Sequence, residues 1–153
     1  MENSTFWSKF LLFDAILLVL TGLDFVISSF LFPEAIKIVY NLYWGNELSI
    51  SVNQFNYLKL LFSVTGAIMV GFGITISTLA YYLIKNGDQQ FVWTSVTFGL
   101  LDWFVLDSLA SVLVEAYVNL FLNLIFLVLF LIPILGRKFL NESNITSRIT
   151  SIG

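Results

Sequence analysis

Four stretches of this chain are apolar over lengths that suit a bilayer better than a water-facing domain. They run from about residue 10 to 32, 57 to 84, 89 to 112 and 117 to 136, each near the ~20 residues that a spanning helix needs. Only 11% of the 153 residues are charged and 58% are hydrophobic, with a mean hydropathy of +0.91. A soluble domain carries about 25% charged residues, so this chain lacks the polar surface to face water all round. The expected fold is all-α: one integral membrane four-helix bundle over residues 1–153.

The last two runs are the hardest to separate, because neither Gly nor Pro stands at their junction. Joined, they would make one helix of nearly 50 residues, about 70 Å long and more than twice the hydrocarbon thickness. A reversal is therefore required, and it is expected around Leu113 to Tyr117, where Glu115 is the sole charge. The first run has a signal peptide as its rival reading, because Lys9 precedes it. Its apolar core exceeds the ~7–15 residues of a typical signal core and shows no A-x-A cleavage site, so a retained helix is expected.

Phe32-Pro33-Glu34 ends the first run. From Glu34 to Trp44, Ala35, Ile36, Val39, Tyr40 and Tyr43 recur at three and four residues, which predicts a short amphipathic helix. It would either lie in the membrane interface or pack on the bundle as a loop helix. Gly45-Asn46 reads as a stop, Glu47 to Asn56 as irregular, and Lys85-Asn86-Gly87-Asp88 as a tight polar turn. The tail from Arg137 is polar and is expected to fray.

Lys9, Lys85, Arg137, Lys138 and Arg148 fall on the side of the termini, against Lys37 and Lys59 on the other. That excess predicts both termini in the cytoplasm. The glycosylation triplets at Asn3, Asn141 and Asn144 would then stay unused.

In the second run Gly66, Gly73, Ser77 and Ala80 lie within about 40° of one another at 100° per residue. Such a stripe lets two helix backbones approach closely in lipid, although glycine is also simply more frequent in membrane helices. Ala67 and Gly71 form a second pair on an adjoining face.

Carboxylates inside the runs are costly and need partners. Asp102 falls near the middle of the third run, with Asp107 five residues on, and Asp24 in the corresponding half of the first. Lys59 opens the second run. Ser111 lies four residues from Asp107, with Ser108 beside it, and Glu115, Asn119 and Asn123 are spaced by four, as if on one face. Lys59 is the one nearby cation for Asp24, Asp102, Asp107 and Glu115, so the surplus acids are expected as neutral carboxyls donating to amides or hydroxyls. Two readings stand: these groups hold helices together, or they form a site for an ion or ligand. Asp14 is expected to face a neighbouring helix or reach the interface. Leu23-Asp24-Phe25 echoes Leu101-Asp102-Trp103, compatible with two repeated helix pairs or with chance.

The net charge of −3 gives no sign of a nucleic-acid footprint. Absence of Cys and His removes disulfides, thiolate chemistry, and the commonest metal and haem ligands. No cofactor or metal is expected, and no G-x-S-x-G or HExxH motif argues for an enzyme.

Pro33-Glu34-Ala35-Ile36 after the first run, and Leu58-Lys59 leading into the Gly-rich second run, resemble the layout of small four-span bacterial membrane proteins of the DoxX-like group. The small membrane proteins of biphenyl operons are similar in layout, with an acidic pair late in the third helix where Asp107 stands. The resemblance implies a four-span bundle in a bacterial plasma membrane and lends no activity. The expected function is non-enzymatic: binding a lipid or other hydrophobic small molecule, or serving as accessory subunit of a membrane complex. The alternative is a proton- or cation-coupled carrier using Asp24, Asp102 and Asp107. Expected partners are membrane lipids, a hydrophobic ligand, other membrane subunits or further copies of the chain.

Overall fold

Local signals at the chain's punctuation points account for where each helix starts and stops. The computed structural model describes the backbone of residues 2–44 and 51–150, with side chains over 5–43 and 51–139. Helix α1 spans Glu2–Leu31, ending just before Phe32, where the following Pro33 disfavours helical backbone. The Pro33 carbonyl accepts from the Ile36 N–H at 3.2 Å and leads into α2, Glu34–Trp44. Its Glu34 sits in the first turn, favourable for a helix dipole, and pairs with Lys37 at 3.0 Å.

Ser51 opens α3, Val52–Asn86, with a capping box: its Oγ accepts from the Gln54 N–H while the Gln54 side chain accepts from the Ser51 N–H at 2.9 Å. Residues 52–56, read from sequence as irregular, are therefore helical; 45–50 lie outside the described residues. Gly87, at φ 79°, ends α3 in a conformation open to glycine.

Helix α4, Gln90–Leu113, closes in a Schellman motif. The Ala116 N–H donates to the Ser111 carbonyl at 2.8 Å and the Glu115 N–H to the Val112 carbonyl at 3.2 Å. Glu115 occupies the left-handed position at φ 58°, where glycine is usual. The expected reversal is thus present, built without its customary residue. Helix α5 then runs Tyr117–Thr150. Neither Pro133 nor Gly136 ends it, and the tail expected to fray from Arg137 continues as helix. Pro133 forfeits one bond to the Leu129 carbonyl, a loss that membrane helices tolerate when neighbours pack around it. Pro133 is fully buried.

Four helices, α1 from Thr5, α3, α4 and α5 to Phe139, are long and apolar enough to cross a membrane. They form a membrane four-helix bundle with α1 at its centre, packed between α3 and α5, while α4 pairs with α5. Helices α1 and α3 run antiparallel at close range. A Cβ added at Gly66 would lie 2.5 Å from the Gly22 carbonyl oxygen, and one at Gly73 would lie 2.6 Å from Val19. Gly66, Gly73 and Ala80 are buried and Ser77 half-buried, so the small-residue stripe faces inward, whereas Ala67 and Gly71 are exposed. On the opposite flank Gly136 admits the Trp7 indole against the α5 backbone.

Leu11, Leu18, Ile76, Leu83, Trp93, Val96, Leu100 and Phe130 fill the core. Leu, Ile, Val and Phe also cover the outside, as lipid contact requires. Helix α2 packs across the ends of α1, α3 and α5, burying Ile36 and exposing Ile38 and Leu42. At the opposite end, which carries the termini, Arg137 pairs with Asp88 at 2.9 Å and lies over the Trp93 ring.

Candidate functional site

The polar groups expected to gather do so only in part, at the α2 end of the bundle. Asn119, in the first turn of α5, is their hub. Its Nδ2 donates to Ser111 Oγ at 2.8 Å and to Asp107 Oδ2 at 3.3 Å, both on α4. Its Oδ1 accepts from the Tyr43 hydroxyl of α2 at 3.3 Å. Ser111 in turn donates to the Asp107 carbonyl at 2.7 Å. The Schellman reversal makes this possible, because it folds α5 back along α4 within three residues. Asn119 has both ends of its amide used, which is how interhelical glue behaves.

Of the two settings expected for α2, the membrane interface or packing on the bundle, Tyr43 takes the second, because its hydroxyl reaches in to Asn119. Burial, and secondly the negative charge of Asp107, push its phenol above the usual tyrosine range. It therefore stays a proton donor to Asn119 at any ordinary pH.

Two further groups are left over. Ser108 and Asn123 are buried, and neither Ser108 Oγ nor Asn123 Nδ2 has a hydrogen-bond partner among the described residues. Asn123 lies one turn further into α5 than Asn119, on the same face. A buried, unpaired donor costs free energy unless something satisfies it.

The remaining candidates lie elsewhere. Asp24 is exposed on α1 and accepts from Ser28 at 3.4 Å. Asp102 is exposed on α4. Lys59 makes no ion pair with a carboxylate among the described residues; its ammonium sits over the Phe55 ring at 5.1 Å, one turn earlier on its own helix. Shared neutralisation by Lys59, expected from its position, is thus absent from the structure. Glu115 is exposed in the reversal. Because α5 starts after it, only Asn119 and Asn123 keep the common face inferred from the spacing of four.

Of the two placements expected for Asp14, facing a neighbouring helix or reaching the interface, the structure has the first. Asp14 is 2% exposed, and neither carboxyl oxygen has a partner among the described residues. The signal was present: Leu11, Asp14, Ala15 and Leu18 follow the three-and-four spacing of a buried face. Among the described residues no three acidic side chains cluster in a way that would hold a metal ion.

No family model matches the chain, and neither a curated protein nor a solved structure matches it. Function must therefore be argued from the side chains themselves.

Proposed function

We propose that the chain is a non-enzymatic membrane bundle that binds a lipid or hydrophobic small molecule at the α2 end, between α4 and α5. The observation that carries this reading is the pair of buried, unpartnered groups, Ser108 Oγ and Asn123 Nδ2, beside a network already satisfied within itself. An amide N–H and a hydroxyl would both welcome a carbonyl-type acceptor, such as the ester of a membrane lipid. Both atoms are closed off, so a ligand reaches them by parting α4 from its neighbours. The Asp107–Asn119–Ser111 network would hold the helix end while that happens.

The carrier alternative relies on Asp24, Asp102 and Asp107 acting together, and two of these stand exposed on separate helices, which favours binding over transport. A place beside the DoxX-like proteins, a bacterial plasma membrane and cytoplasmic termini belong to the same proposal. They rest on the Pro33-Glu34-Ala35 segment, on Lys59 and on the excess of basic residues at the terminal end.

The test is lipid retention by purified protein, read by native mass spectrometry. Wild type should carry a bound lipid through detergent exchange, and Asn123→Leu combined with Ser108→Ala should lose it at unchanged helix content. Equal retention by both proteins would overturn the reading.

A further inference from the structure

Asp102 is the thirteenth of the 24 residues of α4, about 18 Å from its start and about 16 Å from its end. It is exposed, and so are Phe98, Leu101, Val105, Leu106 and Leu109 around it. A carboxyl thus stands in the middle of the bilayer on a face otherwise built for lipid. An aspartate side chain is far too short to snorkel to either interface from that depth. Asp24 differs: it lies only seven residues from the end of α1 and has Ser28 beside it.

Charge complementarity decides what covers Asp102. The basic residues on the spanning helices are Lys9, Lys59, Lys85, Arg137 and Lys138, all placed towards helix ends. Copies of this chain related by an axis along the membrane normal keep every residue at its own depth. A second copy therefore offers Asp102 no cation, and α4 against α4 would set acid against acid. We propose that the outward face of α4 around Asp102 docks a membrane-spanning helix of a different protein, one carrying Arg or Lys near its midpoint. In a medium without water the two charges would find in each other the partner that neither lipid nor the described residues of its own chain supply. Flanking Phe98, Val105 and Leu109 would pack along the same helix. This surface is separate from the Ser108–Asn123 site and does not depend on it.

The experiment uses the full chain, donor-labelled in phosphatidylcholine liposomes, and two acceptor-labelled synthetic spans. One is polyleucine with a single central Arg, the other polyleucine throughout. Energy transfer should show the Arg span associating at least tenfold more tightly than the all-Leu span. Asp102→Leu, an apolar change on a lipid-facing surface that leaves the fold intact, should abolish the difference, and Asp24→Asn should preserve it. Equal association of the two spans, or a preference that survives in Asp102→Leu, would overturn the proposal. So would self-association of the chain that disappears in Asp102→Leu, because the occupant would then be a second copy.

Discussion

The α1–α3 seam and the α2–α4–α5 corner hold helices together by opposite means. The seam has backbones in contact, Gly22 against Gly66 and Gly73 against Ala15 and Val19. The corner joins three helices through one amide, with Asn119 bonded to Tyr43, Asp107 and Ser111. In lipid, apolar surface gains nothing by leaving water, so contact area and hydrogen bonds must do the joining. A seam built on contact area is strict about volume and indifferent to pH. A corner built on hydrogen bonds is tolerant of volume and sensitive to each polar atom.

The sharpest way to break that contrast is Gly66→Leu, whose first added carbon would meet the Gly22 carbonyl and the Phe25 Cβ. We expect a loss of about 3 kcal/mol or more, from overpacking against backbone that cannot yield. Gly71→Leu, with nothing within 4 Å of the added carbon, should be close to neutral. Reversible unfolding in mixed micelles reads both, and equal effects would refute the seam. Asn119→Leu should cost about 2 kcal/mol, because three bonds across helices go at once. The same substitution at Asn123, unbonded through its Nδ2, should cost less.

Asp14→Leu tests the buried face of α1 from the other direction. Removing a buried carboxyl that has no partner should raise stability by about 1 kcal/mol, and a loss instead would mean that Asp14 is satisfied by something outside the bundle's own side chains. Tyr43→Phe should cost about 0.5 kcal/mol, with a pH signature. The phenol of Tyr43 is raised in the folded state, so its contribution is complete below the unfolded value of 10.0 and is lost as pH climbs through the folded one. Alkaline melts of wild type should therefore fall more steeply than those of Tyr43→Phe.

Much of the architecture was legible because span length, the Pro33 break and the stripe from Gly66 to Ala80 are one-dimensional signals. The reversal at Leu113 to Tyr117 followed from length alone, since Glu115 fills a left-handed position without announcing it. Gly136 misled: it reads as a terminator, yet its role is to make room for Trp7, a residue more than a hundred positions away. The site was less legible for a related reason. Spacing of four ranks residues on one helix but does not say which neighbour that face meets. Asp102 and Asp107 are five apart, which turns one outward and the other toward Asn119. Asp14's spacing to Leu11 and Leu18 decides between its two expected placements in favour of the buried face, but its neighbours on other helices could not be read that way.

The three-residue link between α4 and α5 also bears on how the chain enters a membrane. Val114 to Ala116 is too short to wait outside while one helix inserts before the other, so the pair must go in as a hairpin. With the termini on the cytoplasmic side, as proposed, the tip of that hairpin carries Glu115 as its one charged side chain across the bilayer. The polar connection around α2 takes across the paired Glu34 and Lys37 together with Glu47. Biosynthesis would thus favour a reversal that keeps its polar load small, and adding a second charge beside Glu115 would hinder insertion before it touched the folded bundle.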